Sequence, residues 1–234
     1  MNRLQNYFFA SILILSPVVF YAFPALGADI YVTKTEDTND GLCDADCSLR
    51  EAIIKANGLA SVGSIDIHVP AGGYYLTVEG INENEAATGD LDITNSMTIV
   101  GAGMDETIVS ALGEIFGVIH DRVFHVHVPN GIVNFQDLGI YGGYVDETDN
   151  IRSGGGIAIT AADTVNILRC HLFRNYAPGN GGALWTGSGP ELHLSMLTLT
   201  ESLVDENEVS GSGGGIYLNG FPGLLIDREV VPKN

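Results

Sequence analysis

Asp137, Arg169 and Glu201 stand at intervals of 32 residues, and together they carry the groups that polysaccharide cleavage needs. A lyase uses acids to hold calcium and a basic residue to take a proton. A glycosidase uses two carboxylates, one to protonate the leaving oxygen and one to activate water. If consecutive 32-residue stretches stack as hydrogen-bonded strands, about 4.8 Å apart, the three side chains form an acid–base–acid column. The same column is read more simply as an exposed ionic ladder that keeps like charges off adjacent layers and adds little stability per pair. That simpler reading is the expectation, with Asp137, Arg169 and Glu201 kept as weak catalytic candidates.

Trp185 and Tyr217 form a second set, again 32 apart, with Ala158 before them in register and His125 at the head. If Leu184 and Ile216 point inward, Trp185 and Tyr217 point outward, one above the other. Aromatic rings so placed pack on the apolar faces of sugars, or else under a neighbouring loop. Trp185, Tyr217 and His125 are the candidate ligand-binding residues. His125 and His127 share one side of a strand, but a metal site needs a third ligand and Asp121 is the only near candidate, so no metal site is assigned. The segment 37–41 lacks the EF-hand spacing and reads as an Asx-rich turn.

Of three cysteines, Cys43 and Cys47 are close enough for a small-loop disulfide. Between and beside them, Asp44 and Asp46 either keep a structural calcium or pair with Arg50; the residues leave both open, and no other cofactor is expected. Cys170 shares its repeat position with Leu138 and Ser202 and reads as a small inward-facing core residue.

These groups are positioned by the repeat itself. Segments 133–140, 165–172 and 197–204 align at a 32-residue period, with apolar residues in register at their first, third and eighth positions. Phe135 stacks on Ile167 and Leu199, and Ile140 on Leu172 and Val204; Asn175 and Asn207 close two successive units. No unit buries its apolar side alone, so each must stack on the next, which defines a solenoid. Short strands separated by Gly and Asn corners give about six coils, with right-handed connections. The expected fold is all-β, a right-handed parallel β-helix over 61–234, preceded by a cap over 28–60. Ser48 and Glu51 form a capping box for a short helix that Asn57-Gly58 stops. The C-terminal end has no such cap, which leaves either a truncated frame or a partner as explanations.

Residues 1–27 read as an export signal: Arg3, an apolar run from Phe8 to Phe23, and small residues 25–28 for cleavage. The rest of the chain carries nine Lys/Arg against 29 Asp/Glu, a net charge near −20. Such a surface repels nucleic acid and anionic lipid. The expectation is an exported protein, extracellular, at the cell surface or periplasmic, with no nucleic-acid partner and no membrane contact after signal cleavage.

The run Asp40-Gly41-Leu42-Cys43-Asp44-Ala45-Asp46-Cys47-Ser48-Leu49-Arg50-Glu51-Ala52-Ile53, with Ala56-Asn57, resembles the N-terminal motif of the CSLREA-domain proteins. These are exported bacterial proteins in which the motif precedes a right-handed parallel β-helix of the pectate-lyase-like kind, and the resemblance covers most of 29–220. It implies fold and export, not a reaction, because that fold serves lyases, hydrolases, adhesins and stalks alike. The Asn-Thr-Asp, Asp-Asp and Gly-His-Gly motifs of the pectinolytic hydrolases are absent. The expectation is therefore a non-catalytic binding or adhesion module whose partner is an extracellular polysaccharide or cell-surface glycan. A polysaccharide lyase or glycoside hydrolase of the same fold is the alternative.

Overall fold

The computed structural model describes residues 27–60, 63–111, 120–187, 194–220 and 223–227. The expected export signal lies outside them, apart from Gly27. Among the described residues there is one helix and otherwise strands, and every named strand pairing is parallel. A two-sheet sandwich would require antiparallel pairs; this chain is a parallel β-solenoid.

Each complete turn has three faces. The first face stacks Leu91–Ile93, the leading half of Phe124–Gln136, the leading half of Ile157–Leu168, Leu184–Thr186 and Ile216–Tyr217. The second stacks Ala28–Tyr31, Ile65–His68, Met97–Val100, the trailing halves of the same two long strands, Leu194–Thr200 and Leu224–Asp227. The third stacks Gly72–Tyr75, Thr107–Ser110, Gly139–Tyr141, His171–Phe173 and Leu203–Asp205. Among the described residues, four turns carry strands on all three faces, with partial turns at both ends, against the six coils expected. The first turn is incomplete because residues after Tyr31 enter the disulfide loop and the helix Leu49–Asn57 instead.

Inside, the period is kept residue for residue. Phe135 pairs with Ile167 and Ile167 with Leu199; Ile140 pairs with Leu172 and Leu172 with Val204. Leu138, Cys170 and Ser202 are all buried, and burial pushes the Cys170 thiol up to about 12, so it is an inert core group. Asn175, fully buried, donates to the Ile140 carbonyl and to Asn207 Oδ1, and accepts from the Gly143 amide. Asn207 repeats the pattern with the Leu172 carbonyl. The two asparagines thus satisfy corner backbone groups that would otherwise be buried unpaired.

The corners also repeat. Asp137, Arg169 and Glu201 all have left-handed backbones, φ 56°, 48° and 51°, a conformation that costs energy for any residue with a Cβ. Gly154, Gly181 and Gly213 turn the chain onto the first face at φ 71°, 63° and 71°. A Cβ at Gly181 would lie 2.2 Å from the Leu184 carbonyl oxygen, so only glycine fits there.

At the N-terminal end the capping box forms as the sequence predicts: Glu51 N–H donates to Ser48 Oγ and Ser48 N–H to Glu51 Oε2. Leu49, Ile53 and Ala56 are buried against the first turns, covering the open end. Cys43 and Cys47 are disulfide-bonded. At the other end Leu224, Leu225 and Ile226 remain exposed on the last described strand.

Candidate functional site

The strand register builds the outward column of the first face: Asp92, His125, Ala158, Trp185 and Tyr217 are successive partners. His125 stands in the column as expected, but Asp92, one layer before it, is the head. The five differ in exposure. Asp92, His125 and Ala158 are buried, whereas Trp185 and Tyr217 are half-buried. The column is thus a polar, sequestered head above an aromatic, accessible foot. Full exposure of the aromatic pair, which its outward direction suggested, is not what the neighbouring turns leave.

The head is a hydrogen-bonded chain. His125 Nδ1 is 2.9 Å from Asp92 Oδ1, and His125 Nε2 is 2.9 Å from Thr160 Oγ1. His127 Nδ1 reaches the same hydroxyl at 2.9 Å, and the Val126 carbonyl lies 3.2 Å from it. Thr160 occupies a β-bulge: Val126 pairs with Ile159 but His127 pairs with Ala161. The extra residue turns its side chain onto the side that His125 and His127 share, as bulges beside functional groups often do.

Beneath it sits a buried ionic knot. Arg122 reaches Asp90 at 3.0 Å and Asp149 at 2.8 Å, and Asp121 accepts from the amides of Arg122 and Asp90. Four carboxylates (Asp90, Asp92, Asp121 and Asp149) share one guanidinium and one imidazole. Burial, reinforced by neighbouring Asp121, pushes Asp90 well above the usual carboxylate range, and burial pushes Asp121 up to about 6. Asp149 Oδ2 and Arg122 Nε have no hydrogen-bond partner.

Donor atoms of Asp90, Asp92 and His125 lie within 4.8 Å of one another and could hold a cation. Their present bonds are internal: Asp92 takes His125 and the Ala86 amide, and Asp90 takes Arg122. The trio of His125, His127 and Asp121 suggested by the sequence is not the one brought together, because His127 turns to Thr160 and the Asp121 carboxylate to backbone amides. Arg50 pairs with Asp37 at 2.7 Å, not with Asp44 or Asp46. Asp46 instead meets Lys34 at 3.1 Å.

Of the acid–base–acid column, Arg169 grips both oxygens of Asp137, at 2.6 and 2.8 Å, and this holds the Asp137 carboxyl below its usual range. Glu201 is exposed one layer on. A carboxylate occupied on both oxygens by a guanidinium is a poor proton acceptor, so the geometry favours the ionic ladder.

Sequence reasoning missed Asp92, Thr160 and a second aromatic surface. Tyr141 stacks on Phe173 at 4.6 Å and Tyr144 on Tyr176 at 4.7 Å, both between adjacent turns. The signal was available for these pairs, since each is spaced 32 apart. It was not available for Asp92 and Thr160, whose spacings of 33 from His125 and His127 depart from the repeat. An open groove of about 350 Å³ also lies at the corner between the first and second faces, lined by polar groups including Ser64, Ser96, Thr98, Asn130 and Asn134.

Fold and site together define a parallel β-solenoid with a capped N-terminal end, outward aromatic pairs and one buried carboxylate–imidazole–hydroxyl chain. No family model matches this chain, and no curated protein or solved structure matches it. No described helix is long and apolar enough to cross a membrane, and the disulfide fits an oxidising compartment.

Proposed function

We propose that this is an exported protein of the CSLREA-domain kind that binds extracellular polysaccharide through the outer side of its solenoid. The observation that carries the reading is the pairing of Trp185 with Tyr217, in register and half-exposed on adjacent turns. As register partners on adjacent strands, the two half-exposed aromatic side chains offer neighbouring apolar surface for sugar faces. The stacks Tyr141/Phe173 and Tyr144/Tyr176 support it, because they add paired aromatic rings between adjacent turns. With a net charge near −20 outside the export signal, a neutral glycan suits this surface better than a polyuronate, which it repels.

The test is retention of the mature chain on insoluble and immobilised glycans of neutral and acidic type, with Trp185→Ala and Tyr217→Ala beside it. Retention on a neutral glycan that falls at least about tenfold in Trp185→Ala is the expected result. Equal retention of both variants and the parent removes the column from the reading. Appearance of reducing or unsaturated ends replaces binding with backbone cleavage.

A further inference from the structure

We propose that Thr160 is a nucleophile, with His125 as its general base and Asp92 as a positioning residue, and that this chain hydrolyses carboxylic esters at the head of the aromatic column. The parts stand in the order that activates a hydroxyl: carboxylate to Nδ1 at 2.9 Å, Nε2 to hydroxyl at 2.9 Å. A carboxylate only accepts, so Asp92 fixes the proton on His125 Nδ1 and leaves the Nε2 lone pair facing Thr160. Nucleophile, base and orienting group within hydrogen-bond reach are recognised by geometry, whatever fold carries them.

Three further observations separate this chain from ordinary core hydrogen bonding. The bulge inserts a single residue, Thr160, between pairing that is regular over Phe124–Val126 and over His127–Val128. Burial falls outward along the relay: Asp92 is 1 % exposed, His125 4 % and Thr160 8 %, while His127 is exposed. The base is therefore sheltered from water, and the exposed neighbour at the hydroxyl is His127. His127 Nδ1 also lies 2.9 Å from the same oxygen, and the Val126 carbonyl, 3.2 Å away, is the acceptor from which the hydroxyl proton turns to Nε2 when His125 acts as base.

The step balances with the ester and water alone. The Thr160 oxygen bonds to the ester carbonyl carbon and its proton passes to His125 Nε2. The carbon–oxygen bond to the alcohol breaks, and the alcohol leaves with that proton. Water then attacks the acyl-threonine, gives a proton to Nε2, and the acid departs as Thr160 recovers its hydrogen. Because Ala158, Trp185 and Tyr217 continue the same column, the ester class that fits is the O-acyl group of a glycan lying along it. That last assignment rests on the polysaccharide-binding reading; the esterase chemistry does not.

The experiment uses p-nitrophenyl acetate, which needs no glycan, on the mature chain with its disulfide intact. The expected result is a burst near one equivalent and an acetyl mass on the peptide containing Thr160. Thr160→Val removes both, Thr160→Ser keeps both, and Asp92→Asn slows acylation at least about 100-fold with KM little changed. His127→Ala keeps the adduct at a reduced rate. No burst in the parent, an adduct elsewhere, or unchanged turnover in Thr160→Val overturns the proposal. Should Thr160→Val fail to fold, acylation slowed at least about 100-fold in a folded Asp92→Asn, with the adduct and its rate kept in Thr160→Ser, decides the case. Ester cleavage without glycan retention would sink the binding reading alone, and retention without an adduct would sink the esterase alone.

Discussion

The stretch from Val165 to Val209 and the stretch from Asp90 to Thr160 are built on the same three-faced turn, yet they hold together differently. In the first, matching repeat positions meet at a spacing of 32: Cys170 with Ser202, Asn175 with Asn207, and Arg169 back to Asp137. Identical positions meet identical positions, apolar inside, amide at one corner, charge at another. In the second, the partners of the Asp92–His125–Thr160–His127 relay are 33 to 35 apart, a bulge intervenes, and the interior gives way to a knot of carboxylates around Arg122, whose partners Asp90 and Asp149 lie 32 and 27 residues away. Repetition produces a core, and departure from it is where this chain places groups that a core does not need.

The sharpest way to break that contrast is to remove the cation from the knot. Arg122→Leu leaves Asp90 and Asp149 buried without their guanidinium, and the expected loss is about 3–5 kcal/mol of unfolding free energy. Chemical denaturation checks it. Adding Asp90→Asn to Arg122→Leu should recover part of the loss, because one of the stranded acids is then neutral. A loss below about 1 kcal/mol would mean the knot is looser and wetter than its burial indicates.

The regular stretch has its own weak point. Asn175→Ala strands the Gly143 amide and the Ile140 carbonyl inside the corner, at an expected cost of about 2–3 kcal/mol. Asn207→Ala, at a less buried position of the same ladder, should cost less. Equal costs would show that the ladder acts as a unit, not as a sum of corners.

Much of this was legible in the sequence, and the reason is geometric. A period of 32 with apolar residues at fixed offsets allows one stacking, so the pairings of Phe135, Ile167 and Leu199 come from counting alone. The capping box at Ser48 and the pair Cys43/Cys47 are local, set by three or four residues of spacing. The order His125, Ala158, Trp185, Tyr217 was also readable, because glycine-led strands fix which neighbour points outward. What was hidden depends on contacts between turns of unequal length. Thr160 sits among alanines and threonines, Ile157 to Thr164, and nothing in that run marks which residue is extra; only pairing with Val126 and His127 reveals the bulge. Asp92 lies in a three-residue strand before the regular repeat begins. The number of turns was overcounted because short apolar runs reveal strands without saying how many share a turn.

Protons separate the two stretches as well. Asp90 and Asp121 bind protons more tightly folded than unfolded. Their contribution is therefore complete below about pH 4 and is lost as the pH rises, for Asp121 through about 6. Asp137 and Glu51 have the opposite sign: they are held low, so their contribution is present above about pH 4 and lost in acid. The chain should be more stable at pH 5 than at pH 8, by on the order of 1 kcal/mol from Asp121. Denaturant midpoints at the two pH values measure it, and Asp121→Asn should flatten the difference. A midpoint that rises from pH 5 to pH 8 would mean that the carboxylates of the knot are ionised together in the folded chain.

The smallest effect is expected at the column that first suggested catalysis. Arg169 and Asp137 form a two-pronged pair, but Arg169 is partly exposed, and pairs open to water contribute about 1 kcal/mol or less. Both residues also sit in left-handed corners that glycine adopts without strain. Arg169→Gly therefore loses an ion pair and relieves a strained backbone, and the two changes should nearly cancel, whereas Arg169→Ala loses the pair and keeps the strain. Alanine should then be the more damaging replacement, by about 1 kcal/mol, an order opposite to that of an exposed helix. A double-mutant cycle with Asp137→Asn isolates the pair from the corner. Neither variant should change glycan retention or ester turnover. If either abolishes a reaction while leaving the unfolding midpoint in place, the ladder is a site, and the regular repeat holds chemistry after all.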